Sequence, residues 1–236
     1  MQNRELISNI SHDLKTPITA IKGYAEGILD GVASSPEKLE RYIRTIYNKA
    51  NDMDKLINEL TTYSSIDNNR IAYSYHRINV ADYFGDCVEE VGVELESKNI
   101  QLNYSNLVAA DTMVIADPEQ MKRVINNIIS NSVKYMDKPR GVIDIRILDD
   151  IDSIRVEIED NGKGIAQKDL QRVFERFYRT DASRNSAQGG SGIGLSIVKK
   201  IIEDHGGYIW ATGKEGEGTC MHFVLRKYIE LQPDSE

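Results

Sequence analysis

Ser153-Ile154-Arg155-Val156-Glu157-Ile158-Glu159-Asp160-Asn161-Gly162-Lys163-Gly164-Ile165 is the stretch on which the fold turns. Its first seven residues are dominated by an apolar/polar alternation, the period of a strand with one face in a core. Val142 to Leu148 alternates likewise, and Asp149-Asp150-Ile151-Asp152 between the two runs predicts a hairpin. A carboxylate at a strand end, here Asp160, can accept a hydrogen bond from an exocyclic amino group. Gly162 and Gly164 would let the backbone pass close to a flat base. Alone, Asp-x-Gly-x-Gly is equally the sequence of an ordinary turn.

Outward from this stretch the periods keep changing. Val80 to Lys98 reads as a helix, followed by strands around Ile100–Tyr104 and Thr112–Ala116. Asp117 to Tyr135 is again helical, with Met121, Val124, Ile125, Ile128, Ile129 and Val133 as its apolar face. A helix from Ile193 to His205 and strands at Tyr208–Thr212 and Thr219–Arg226 complete the set. Such alternation predicts an α/β sandwich, with helices on one face of a mixed sheet.

Two further constellations fall in this region. Asn127 and Asn131 are four apart and share a helical face, with Lys134 and Tyr135 one turn on. Asparagine oxygens are hard ligands suited to Mg²⁺, Lys134 can reach a phosphate, and Tyr135 can cover a base. In isolation the same spacing describes a polar helix face. Gly189-Gly190-Ser191-Gly192-Ile193-Gly194-Leu195 opens the following helix, exposing backbone N–H groups and the positive dipole end that suit polyphosphate. No Gly-Lys-Ser/Thr follows, so this is not a Walker loop, and the βαβ frame of a dinucleotide site is missing. Phe174-Glu175-Arg176-Phe177-Tyr178-Arg179 and a polar stretch from Thr180 to Gln188 lie between, the latter with the composition of a mobile lid.

The first quarter of the chain is different. Ile7, Ile10, Leu14, Ile18, Ile21, Ala25 and Ile28 form one apolar face of a helix from about Arg4 to Leu29. At ~100° per residue His12 points roughly 170° away from that face, into solvent. Asp13 adjoins it and Thr16 lies one turn on, so the trio can act as nucleophile, proton acceptor and water-positioning group. Pro17 is expected to bend or loosen the helix. Asp30-Gly31 stops it, Ser35 caps the next helix and Pro36 takes its first position. That helix carries heptads of Leu39, Ile46, Met53 and Leu60, and of Ile43, Ala50 and Ile57. Two helices cannot bury both stripes alone, so a second copy completing a four-helix bundle is expected. Ser64 to His76 reads as an irregular linker.

Composition narrows the function. The chain has 236 residues, 40% hydrophobic and 28% charged, which suits one large or two ordinary globular domains. A net charge of -8 without a basic run argues against nucleic acid as partner. Cys87 and Cys220 read as lacking a Cys or His companion, so neither a zinc site nor a disulfide framework is expected. His76, His205 and His222 read as structural or solvated. No apolar run approaches the ~20 residues of a membrane span. The abrupt helical start suggests a piece of something longer.

With these elements in order, the chain resembles the cytoplasmic core of bacterial two-component sensor histidine kinases over nearly its whole length. Ser11–Pro17 is similar to that family's H box, Asn127–Tyr135 to its N box, and Asp160–Ile165 to its first glycine box. Phe174–Arg179 is similar to its F box and Gly189–Leu195 to its second glycine box. One departure is Met221, in the final Gly218-Thr219 box, where the family usually has an aromatic. The resemblance implies an α+β chain: residues 1–66 a dimerising phosphotransfer hairpin, 67–77 a linker, 78–227 an ATP-binding domain of the gyrase, MutL and histidine-kinase type, and 228–236 a tail. It implies autophosphorylation of His12 from ATP, with Asp13 assisting. Phosphoryl transfer to an aspartate of a response regulator and reverse dephosphorylation through Thr16 are implied as well. By position Asp160 reads adenine, Asn131 with Asn127 holds Mg²⁺, and Lys134 and Tyr135 touch phosphate and base. Gly162, Gly164, Ile165, Gly190, Ser191, Gly192, Ile193, Gly194, Leu195 and Thr219 line the nucleotide. The expected setting is a homodimer in the cytoplasm, joined to a membrane only through an upstream sensor region. A non-kinase ATPase clamp and a catalytically silent scaffold are the alternatives.

Overall fold

Residues 2–67, 72–175, 178 and 192–229 are described in the computed structural model, with side chains described from Leu14 onward in the first helix and for 36–54 and Ile57 in the second. The chain divides into two compact units, residues 1–70 with 176–194 and residues 71–175 with 195–236.

The first unit is a helical hairpin of α1 (Gln2–Leu29) and α2 (Pro36–Asp67). Its turn follows the local chemistry. Gly31 takes the left-handed conformation that ends α1, and the Lys38 N–H donates to Ser35 Oγ at 3.3 Å to start α2. Tyr24 of α1 meets Tyr42 of α2 edge to face at 5.0 Å. Pro17 is buried and α1 continues through it, because one missing donor among 28 residues does not stop a helix that packing holds. The apolar stripes are only partly covered: Ile18 is 48% exposed, Ile43 53% and Ile57 46%. Two helices do not bury both stripes within one chain.

Regular elements reach further into Ser64–His76 than the irregular linker reading expected. α2 reaches Asp67, and His76–Asn79 is a strand, β1, paired antiparallel with β3 (Met113–Ala116). Four residues with one aliphatic side chain carry no readable period, so the pairing partner decides this strand. Tyr228 also belongs here, its N–H donating to Met113 O at 2.7 Å.

The main sheet has the order β2-β4-β5-β7-β6, from β2 (Ile100–Asn106), β4 (Gly141–Asp150), β5 (Ser153–Asp160), β7 (Gly218–Arg226) and β6 (Tyr208–Lys214). β2 and β4 run parallel and every other pair is antiparallel, which makes it the expected mixed sheet. The β4–β5 turn is tighter than four residues, since Asp149 and Asp150 stay paired with Ile154 and Ser153. Ile143, Ile145, Ile147, Ile154, Val156, Ile158 and Phe223 bury one sheet face. The buried faces of α3 (Val80–Ser97), α4 (Pro118–Lys134) and α5 (Gly194–Asp204) complete this core.

Candidate nucleotide-binding site

α4 begins on its Asp117 cap, whose side chain accepts from the Gln120 N–H, and Pro118 holds its first turn. Its buried stripe is Met121, Val124, Ile125, Ile128, Ile129 and then Ser132, a hydroxyl in an apolar register. Ser132 Oγ donates to Asp160 Oδ2 at 2.8 Å, joining the end of α4 to the end of β5. The Gly162 N–H donates to Asp160 Oδ1 at 2.9 Å. Both carboxylate oxygens are therefore anchored. Burial raises the Asp160 carboxyl above its ordinary value, outweighing these hydrogen bonds and one from the Thr219 backbone.

The loop after β5 fits tightly around this carboxylate. A Cβ on Gly162 would lie 2.8 Å from the Tyr135 carbonyl oxygen, so any other residue would push the loop off α4. Gly164 has φ +69°, and a Cβ there would lie 2.0 Å from the Lys214 carbonyl oxygen. The Lys163 N–H donates to Tyr135 O at 3.1 Å, and the Gly216 N–H donates to Lys163 O at 2.6 Å. Asn161 turns back to β4: its Oδ1 accepts from the Val142 N–H at 2.9 Å and its amide donates to Arg140 O at 3.1 Å. Thr219 is buried and pairs in register with Asp160. α4, β5 and β7 thus converge on one carboxylate.

Asn127 and Asn131 lie on one face of α4, half-buried. The Asn127 amide donates to Arg123 O at 2.9 Å, which turns its nitrogen into the helix and leaves the oxygen for a ligand. Among the described residues the Asn131 amide has no hydrogen-bond partner. Lys134 Nζ lies 5.1 Å from the Tyr135 ring centroid, at the helix end. These donor types fit a hard, oxygen-seeking cation beside phosphate.

Asn127, Asn131, Lys134, Tyr135, Asp160, Gly162, Gly164, Ile165 and Thr219 all fall in the second unit. Gly192, Ile193 and Gly194 lead into α5, with Ile193 buried and Leu195 half-buried behind them. Gly190 and Ser191 lie outside the described residues, as do Arg176, Phe177, Arg179 and the Thr180–Gln188 lid. His12, Asp13 and Thr16 are on α1; the side chains of His12 and Asp13 lie outside those described, and Thr16 is exposed. Ser132 and Asn161 went unread as site residues. Ser132 had a signal, a polar residue continuing an apolar stripe, whereas Asn161 acts through a strand 19 residues away.

Residues 2–69 match the His Kinase A (phospho-acceptor) domain, and residues 116–229 match the Histidine kinase-, DNA gyrase B-, and HSP90-like ATPase family. Sensor histidine kinase WalK of Bacillus subtilis (strain 168) is 32% identical over 99% of this chain, which spans 38% of that relative's length. The structure of Acinetobacter baumannii histidine kinase AdeS aligns with a TM-score of 0.72 at 23% identity, covering 91% of this chain and 97% of that one. Histidine kinase ThkA, crystallised in complex with response regulator protein TrrA, aligns with a TM-score of 0.74 at 24% identity, covering 95% and 61%. These two likenesses speak for the fold.

Proposed function

We propose that this chain, which belongs to the sensor histidine kinase family and comprises its catalytic core, transfers the γ-phosphoryl group of ATP to a ring nitrogen of His12 and then to an aspartate of a response regulator. One observation carries this reading. A half-buried carboxylate, Asp160, is fixed at a strand end by Ser132 and Gly162, downstream of a phospho-acceptor segment containing His12.

Each residue then has a task. Asp160 accepts the adenine amino group, and its two anchors keep it from rotating away. Tyr135 flanks the base and Lys134 meets phosphate. By the family resemblance, backbone N–H groups of the glycine-rich segment 190–194 receive the phosphates. Asn131 and the oxygen of Asn127 would hold Mg²⁺, which supplies neutralisation of phosphate charge. Asp13 orients the imidazole or takes its proton, and Thr16 positions water for dephosphorylation of the docked regulator.

The exposed Ile18, Ile43 and Ile57 support a homodimer through α1 and α2, with the uncovered stripes as its seam. ThkA was crystallised with a response regulator, which supports the same class of partner here. No helix among the described residues is long and apolar enough to cross a membrane. Together with a span of 38% of WalK, this supports a cytoplasmic piece of a longer sensor.

Incubation with γ-labelled ATP tests the assignment. Acid-labile, base-stable label is expected on the parent chain and none on His12→Gln, which should still bind nucleotide. Label persisting at another histidine would overturn the role of His12. ATP hydrolysis without label would favour a clamp ATPase, and neither activity would favour a scaffold.

A further inference from the structure

The sheet face turned away from the helices carries a cluster that the nucleotide chemistry does not use. Cys220 and His222 are two apart on β7, so they point to the same side, and Glu157 is the register partner of His222 on β5. Cys220 thus has the histidine companion that its sequence reading lacked. His222 Nδ1 lies 3.3 Å from Glu157 Oε1 and 3.9 Å from Cys220 Sγ, and all three ligand atoms fall within 4.8 Å of one another. Asp160 faces the other way, toward α4, so this is a separate site.

We propose that Glu157, Cys220 and His222 form a binding site for a borderline-soft divalent cation of the zinc class, with water in the fourth position. Tetrahedral zinc with one nitrogen, one oxygen and one sulfur needs N···O of about 3.4 Å and N···S of about 3.6 Å. The two spacings from His222 Nδ1 lie within a few tenths of an ångström of these values, and the sulfur–oxygen pair, within 4.8 Å, closes toward about 3.6 Å on binding. Thiolate with imidazole favours zinc over Mg²⁺ or Ca²⁺.

The surroundings hold the ligands in place. Thr212 Oγ1 lies 2.7 Å from His222 Nε2, so an Nε2–H donated there leaves the Nδ1 lone pair aimed at the cluster. The imidazole also stacks on Trp210, at 4.9 Å and 6°. Cys220 is 7% exposed, and the His222 and Glu157 side chains 12% and 13%. Arg146 contacts Glu157 Oε2 at 3.1 Å and also pairs with Glu159, while Arg155 lies 3.4 Å from Oε1. These guanidiniums oppose a cation but hold the Glu157 carboxylate in place, with its Oε1 beside His222. Cation entry releases the Cys220 proton to solvent.

Trp210 is the chain's single tryptophan, so its fluorescence reports the site. Titration of the tag-free chain with Co²⁺ should give a near-ultraviolet thiolate charge-transfer band, tetrahedral visible bands and quenching, all saturating together at one equivalent. Zn²⁺ should reverse all three. Cys220→Ser and His222→Gln should lose the signals, Cys87→Ser should keep them, and Thr212→Val should weaken binding by about 10–100-fold. Absence of a thiolate band on the unaltered chain would overturn the proposal, even if Cys220→Ser failed to fold. A band lost in Cys87→Ser but kept in Cys220→Ser would do the same, and a cluster that takes no cation is a plain imidazole–carboxylate pair.

Discussion

Asp160→Asn separates what the site costs the fold from what it gives the ligand. The carboxylate accepts from Ser132 Oγ and the Gly162 N–H, yet burial still raises its pKa. Its charge is therefore a net burden on the native state at neutral pH. Asparagine keeps an oxygen for the Gly162 N–H, and its amide can donate to Ser132 Oγ once the hydroxyl rotates. Stability should stay level or rise by about 1 kcal/mol, a gain of roughly 2–4 °C in Tm for a unit of this size. Binding should move the other way. A charge-assisted hydrogen bond worth ~1.5–3 kcal/mol is lost, which weakens adenine nucleotides by about 10–150-fold. Thermal unfolding and equilibrium titration with a fluorescent ATP analogue measure the two effects. The sign also shows in pH. The native carboxyl holds its proton more tightly than the unfolded one, so Asp160's contribution is present below the ordinary carboxyl value of 3.8 and is lost as pH rises through the raised native value. Asp160→Asn should remove that part of the acid limb. A variant that melts several degrees lower, or binds nucleotide as tightly as the parent, refutes the reasoning.

Three other outcomes are expected. Gly164→Ala should lower Tm by at least ~3 °C and impair nucleotide binding, since left-handed backbone alone costs about 1–2 kcal/mol and the new Cβ meets Lys214 O; parent-like Tm and affinity would contradict it. Thr16→Ala should keep autophosphorylation and slow regulator dephosphorylation by about tenfold, whereas equal loss of both makes Thr16 a structural helix residue. His205 Nε2 accepts from the Asp117 N–H at 3.0 Å and Nδ1 faces Ile201 O at 2.7 Å, with Asp204, Tyr73 and Tyr75 around it. Burial holds its pKa below 6.5, so its contribution is full above 6.5 and is lost as pH falls through the native value. His222 adds the same sign. Urea midpoints measured from about pH 7 to about pH 5 should fall less steeply in His205→Gln, and identical slopes would exclude His205 as a source.

Much of this protein is local and was readable without coordinates. Asp30-Gly31 and Ser35-Pro36 end one helix and start the next through their own backbone preferences. The alternation of β4 and β5 and the apolar stripe of α4 follow from side-chain period alone. Asp160, Gly162 and Gly164 were legible because a strand end followed by spaced glycines is a local pattern. Pairing is not local. β1 exists because β3 supplies its hydrogen bonds, and the parallel β2–β4 pair joins segments separated by a strand and a helix. Ser132 meets Asp160 across 28 residues, and His222 meets Glu157 across 65. A period records which face a side chain takes, whereas its neighbour on that face depends on the register of a distant strand. That register follows from packing of the whole core, so only the tertiary structure decided what Asp160 and Cys220 face.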